Sequence, residues 1–150
     1  MRGNSPLPLL LLTFMVFGCT AKRPEGPMIT GDRLTPCPSS PNCVSSQSDD
    51  PDHFIEPIRY ETSRAEARDR LKRVIESMDR AEILRESDEF LQVEFTTALM
   101  RFKDDGLFYF DEHEPVIHMR SASRLGHSDL GKNRRRLEKI RKAFRDESTE

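Results

Sequence analysis

The chain has 150 residues, with 24 Lys and Arg against 26 Asp and Glu, for a net charge of -2. Hydrophobic residues make up 35% and charged ones 33%, which implies a modest core under a heavily charged surface. After the N-terminal leader is set aside, one domain's worth of chain remains. It holds no second apolar run long enough to span a bilayer.

From Leu7 the chain reads Leu-Pro-Leu-Leu-Leu-Leu-Thr-Phe-Met-Val-Phe-Gly-Cys. A membrane-spanning helix needs roughly 20 apolar residues, so this run is too short to cross a bilayer. It has the length of a secretory signal's apolar region, roughly 7–15 residues ending at a small residue. Gly18 is that residue, and Cys19 follows it directly. Val16-Phe17-Gly18-Cys19 resembles a bacterial lipobox, whose cysteine becomes the new N-terminus and carries the acyl chains. The polar, Pro/Gly-broken stretch Thr20–Pro27 then ends the apolar pattern. The expected organisation is a signal peptide over 1–18 and a lipidated tether over 19–35. A single domain over 36–146 and a disordered acidic tail over 147–150 follow. Thr20, rather than Asp, follows the cysteine. By resemblance to enterobacterial sorting, this favours the outer membrane facing the periplasm, with the membrane as partner through acylated Cys19.

Cys37 and Cys43 remain, within Cys37-Pro-Ser-Ser-Pro-Asn-Cys43. In an oxidising envelope compartment, a close pair in a loop points to a disulfide. The chain-entropy model gives so short a loop about 2–2.5 kcal/mol. The alternative is a metal site using both thiols and His53, but that spacing matches no zinc pattern. Nor is the pair a Cys-x-x-Cys redox motif. No cofactor is expected.

Residues 36–57 read as ordered coil held by this pair, and Glu56–Tyr60 as a short extended entry. Ser63-Arg-Ala-Glu66 is a capping box. It predicts an amphipathic helix with Ala67, Leu71, Val74, Ile75 and Met78 on its apolar stripe. Ala81–Arg85 reads as a strand, Ser87–Glu89 as a turn, and Phe90–Phe102 as a longer strand in which Leu91, Val93 and Phe95 alternate with polar residues. Asp104-Asp105-Gly106 predicts a hairpin turn, with Leu107–Phe110 pairing back. Glu112–Pro115 is a further turn and Val116–Ser123 a further strand. A last helix is predicted from an N-cap at Ser128 or Asp129, with Leu130, Leu137, Ile140 and Phe144 as its stripe. The expected fold class is α+β: an antiparallel meander of about four to five strands with two helices packed on one face. The other face is expected to be polar or to form a groove.

Three stretches carry a family resemblance: Pro41-Asn-Cys43-Val-Ser-Ser46, Phe102-Lys-Asp-Asp105, and Arg120-Ser-Ala-Ser-Arg124 running on through Gly126-His-Ser-Asp-Leu-Gly131 to Asn133-Arg134. In this order they resemble the bacterial family of domains of unknown function numbered 1499, over roughly residues 36–145. Lys103, Gly106 and His127 depart from the family pattern. The resemblance implies a single compact domain in an envelope setting and assigns no activity.

The strongest polar cluster is Arg120, Ser121, Ser123, Arg124, Ser128, Asp129, Asn133 and Arg134, where the last strand hands over to the last helix. A helix N-terminus offers free N–H groups and partial positive charge. With two arginines added, the junction is a candidate site for an anionic ligand or lipid headgroup. The competing reading is structural: Ser128 and Asp129 cap the helix, and the arginines pair with Asp104, Asp105 or Asp129. The last helix is strongly basic, from Lys132 to Arg145. This suits an anionic bilayer surface as well as a solvated face, while nucleic acid is not expected for an exported protein. His53, His113, His118 and His127 show no ligand spacing, and Ser121 and Ser123 lack a Gly-x-Ser-x-Gly context. No catalytic residue is assigned. The sequence supports a binding or structural module first, and a periplasmic enzyme or binding protein for an anionic small molecule, headgroup or envelope polymer second.

Overall fold

The computed structural model describes residues 22–26 and 28–147. The expected signal peptide, Cys19 and most of the acidic tail lie outside the described residues. The elements run β1 (Ile29–Thr30), β2 (Arg33–Leu34), β3 (Cys43–Ser45), β4 (Ile58–Arg59), α1 (Arg64–Glu76), β5 (Ala81–Glu86), β6 (Phe90–Thr96), β7 (Lys103–Phe110), β8 (Val116–Ser123) and α2 (Lys132–Asp146).

Helix α1 starts where the sequence places it. Ser63 Oγ accepts the Glu66 amide at 3.2 Å, and the Glu66 carboxylate accepts the Ser63 amide at 3.0 Å, a reciprocal capping box. Its apolar stripe Ala67, Leu71, Val74 and Ile75 is buried. β5 to β8 form an antiparallel meander, and β3 and β4 both pair with the outer edge of β8, giving the order β3-β8-β7-β6-β5 with β4 beside β3. The fold is therefore α+β, as expected. Side chains alternate across a strand. Leu91, Val93 and Phe95 on β6, Phe108 and Phe110 on β7, and Ile117 and Met119 on β8 share one core with Leu71, Ile75, Leu137, Ile140 and Phe144 of the helices. Cys37 and Cys43 are joined by a disulfide with a Cα–Cα distance of 5.6 Å, which leaves no free thiol for the metal alternative.

Three expectations need correction. The predicted turn at Asp104-Asp105-Gly106 lies inside β7, and the chain reverses earlier, over 97–102. Thr97 and Phe102 close that loop: the Thr97 amide donates to the Phe102 carbonyl and the Phe102 amide to Thr97 Oγ1, both at 2.9 Å. Two acids and a glycine persist in a strand because each is matched. Asp104 and Asp105 point to opposite faces and each meets an arginine, while Gly106 lies under Phe95, where a Cβ would stand 2.5 Å from the ring.

The N-cap of α2 is Gly131, at φ 74°, rather than Ser128 or Asp129. Asp129 still serves the helix start from two residues before the cap, accepting the amides of Gly131 at 2.9 Å and Asn133 at 2.7 Å. Ser128 Oγ takes the Leu130 amide at 3.2 Å. Leu130 thus leaves the predicted stripe and is 77% exposed, while Asn133 occupies the buried position at the helix start.

The face of the sheet away from the helices is not open. The β1–β2 hairpin lies across it, and Leu34 is buried with Leu107 and Tyr109 while Met28, Ile29 and Phe90 pack alongside. Much of the stretch expected to run as a tether is in this way laid against the sheet.

Candidate functional site at the strand–helix junction

β8 places Arg120 and Ser121 on opposite faces of the sheet, and the register sets them beside Leu107 and Gly106 of β7. The predicted cluster is therefore split by the sheet into two polar networks.

On the helix face, Ser121 Oγ donates to Asn133 Oδ1 at 2.6 Å. Asn133 Nδ2 reaches the Asn42 carbonyl and Ser123 Oγ, both at 3.0 Å. Arg136 donates to Asn133 Oδ1 at 2.8 Å and to Asp104 Oδ2 at 2.6 Å, with its guanidinium 4.5 Å from the centroid of the Phe95 ring. This network fastens α2 to β3, β7 and β8. Arg134 lies outside it and donates to the carbonyls of Phe54 at 2.6 Å and Asp52 at 2.8 Å.

On the other face, Arg124 lies between two carboxylates, 2.5 Å from Asp105 and 2.8 Å from Glu94. Glu94, 3% exposed, also meets Lys103 at 2.8 Å and Arg23 at 3.2 Å. Burial alone pushes the Glu94 carboxyl up. Hydrogen bonds from Lys103 and Arg124, with their charges, more than offset this and hold it at about 2. The Asp105 hydrogen bond in turn raises Arg124 against its burial.

Arg120 differs from its neighbours. It is 6% exposed, its Nε donates to the Thr35 carbonyl at 2.7 Å, and among the described residues no carboxylate lies within ion-pair distance of it. Burial lowers its pKa, opposed by the charge of Asp105. Two strands further, across Leu107, Gln92 is 1% exposed, and among the described residues neither end of its side-chain amide has a hydrogen-bond partner.

The junction's donors are thus engaged within the chain. The carboxylate of Asp129 already occupies the amides that an external anion would use at the start of α2. Three participants carried no signal in the sequence: Glu94 and Gln92 read only as polar positions of an alternating strand, and Arg136 as one more charge on a basic helix. Asn42, whose carbonyl receives Asn133, lies within the Pro41–Ser46 stretch, where the sequence gives it no role.

His118 shares the face of Arg120, two residues away on β8. Its Nδ1 lies 3.1 Å from Ser46 Oγ and its Nε2 3.6 Å from Asp111. Burial lowers the His118 pKa, and Asp111 acts against that. Ser46 Oγ also accepts the Met119 amide at 2.9 Å, while the Ser46 amide donates to the Met119 carbonyl at 2.8 Å. Ser46 therefore bridges the gap between β3 and β4 along the edge of β8. His53 is buried, with Nδ1 2.8 Å from the Cys43 carbonyl. It lines a hollow of about 570 Å³ between the hairpin, the disulfide loop and the Ser48–Asp50 turn. His113 and His127 are exposed.

The stretches that carry the family resemblance converge here: Asn42 meets Asn133, Ser45 pairs with Arg120, and Asp105 meets Arg124. No curated protein and no solved structure matches the chain. The family described as protein of unknown function, DUF1499, matches residues 33–144, so the chain belongs to that family.

Proposed function

We propose that the protein is a lipid-anchored cell-envelope module, held at a membrane by acylated Cys19 and acting through binding or structure rather than catalysis. Thr20 after the cysteine, by resemblance to enterobacterial sorting, favours an outer-membrane position facing the periplasm over inner-membrane retention. The observation that carries the reading is how the N-terminal segment is fastened. Arg23, four residues after Cys19, is bonded to buried Glu94, and the Arg85 guanidinium donates to the Glu25 carbonyl at 2.7 Å. A chain spans at most about 3.3–3.6 Å per residue, so the domain rides within roughly 14 Å of its anchor. A domain working on distant partners needs a longer free leash. The test is metabolic labelling with a fatty acid in a bacterium that processes lipoproteins. Label enters the wild-type chain and not Cys19→Ala, and the wild type stays with membranes after a salt wash. An unlabelled, salt-released wild type overturns the reading.

A second reading, a binding protein for an anionic small molecule, is favoured by Arg120 and Gln92. Both are buried on the sheet face that the hairpin partly covers; among the described residues Arg120 has no carboxylate within ion-pair distance and the Gln92 amide no hydrogen-bond partner. If the hairpin lifts, Arg120 is the group that receives the anion. Phosphate or a dicarboxylate then raises the melting temperature of wild type and not of Arg120→Met; no shift with either removes this reading.

A further inference from the structure

Every exposed large apolar side chain among the described residues lies at one end of the molecule. Leu99, Met100 and Phe102 belong to the 97–102 loop, and Leu125 and Leu130 to the loop before α2; their exposures are 90%, 63%, 44%, 40% and 77%. The two loops are neighbours. Phe102 lines one shallow hollow with Leu125 and Leu130, and the Arg124 amide donates to the Lys103 carbonyl at 3.0 Å. A cluster of loop-borne apolar side chains in a chain with so small a core marks an interaction surface.

A basic collar stands beside these tips. Lys132, Arg135 and Lys139 project from α2 at helical spacing, and with Arg80 they line a cleft that includes Leu99 and only one acid, Asp79. All four cations are exposed, and among the described residues Lys132 and Lys139 pair with no acid. Elsewhere on α2, Arg134 and Arg136 are bonded inward and Lys142 pairs with Asp146. The unmatched charge of the basic helix is therefore concentrated where the apolar loops are.

The chain's own N-terminal side reaches the same end. Arg23 shares Glu94 with Lys103, the residue after Phe102, and Lys103 Nζ bonds Thr96 Oγ1 at 2.7 Å at the mouth of the 97–102 loop. From Glu25, near the Arg85–Gln92 pair, back to Arg23 at Glu94, the segment heads toward that loop.

We infer that this end is a membrane-docking face: the 97–102 and 124–131 loops enter the interfacial layer of a bilayer, and Lys132, Arg135, Lys139 and Arg80 lie against anionic headgroups. Apolar tips and a cationic rim together are what an anionic lipid surface selects. The orientation rests on the anchored reading, because acylated Cys19 and the loops then hold one end against the same bilayer. The 111–115 turn, at the far end of β7 and β8, faces away.

The chain contains no Trp, so a single introduced indole reports its own surroundings. Two variants carry it, Leu99→Trp in the exposed loop and His113→Trp in the distal turn. Each full chain, expressed in a lipoprotein-processing bacterium, is reconstituted into phosphatidylglycerol-rich vesicles with brominated acyl chains. The expected result is blue-shifted emission quenched by the bromolipid for Leu99→Trp, and neither effect for His113→Trp. Added Lys132→Glu, Arg135→Glu and Lys139→Glu reduce the quenching of Leu99→Trp, and lower vesicle affinity of unanchored chain by roughly tenfold or more. No quenching of Leu99→Trp, equal quenching of both variants, or a blue shift without vesicles accompanied by a dimer in light scattering overturns the docking face. Mass spectrometry of the same sample shows whether Cys19 is acylated. If it is not, the anchored reading fails, while quenching of Leu99→Trp by vesicles added to that chain still decides the docking face.

Discussion

Glu94 is the residue on which the non-helical face turns. Three cations, Arg23, Lys103 and Arg124, converge on one carboxylate that is nearly sealed from water. Its pKa falls from an ordinary 4.5 to about 2. A depressed carboxyl stabilises the fold above the unfolded-state value, and that contribution is lost as pH falls through the folded value. Wild-type stability in urea therefore declines between about pH 5 and pH 2, and Glu94→Gln lacks most of that decline. At pH 7 the substitution costs roughly 3 kcal/mol, because it leaves buried Arg124 with Asp105 alone. Gln92 gives the opposite sign. Its amide is buried with no partner, so Gln92→Met, of similar length and apolar, stabilises by about 1 kcal/mol in the same urea assay. A destabilised Gln92→Met shows that the amide has a partner after all.

At the scale of elements, the parts legible in the sequence were those set by short-range chemistry. Ser63 and Glu66 cap α1 because both halves of the box lie within one turn. The alternation of Leu91, Val93 and Phe95 fixes which face of β6 meets the helices, and Val116–Ser123 is a strand with the predicted limits. What was not legible depended on partners distant in sequence. Asp104-Asp105-Gly106 has the composition of a turn, but Arg136 and Arg124, 32 and 19 residues away, keep its acids in a strand. Leu130 fits a helical period, yet Asp129 accepts the amides of Gly131 and Asn133, and the helix starts at Lys132, leaving Leu130 outside it. The junction was found as a cluster of residues, while its division by the sheet into two networks needed the register. The Cys37–Cys43 bridge closes a loop in an otherwise irregular segment and ties Cys37 to the start of β3, which pairs with β8. Replacing both cysteines by Ala lowers the unfolding free energy by about 2–2.5 kcal/mol, read as a shifted urea midpoint with unchanged slope.

For the whole molecule, the β1–β2 hairpin joins the folded domain to its proposed anchor. It covers Leu107 and Tyr109, takes the Arg120 guanidinium on its Thr35 carbonyl, and brings the chain to Glu94 at the end that bears the apolar loops. A lipid on Cys19 then does more than tether: it sets which end of the domain meets the bilayer. The measurement that tests this most directly is the mass of the N-terminal tryptic peptide from the full chain, processed in a bacterium and extracted from its membranes. Trypsin cuts after Lys22, and the anchored reading predicts a peptide Cys19–Lys22 carrying a thioether-linked diacylglycerol and an acylated amino group. An N-terminal peptide with a free Cys19 thiol, or one continuing upstream through Gly18, contradicts it.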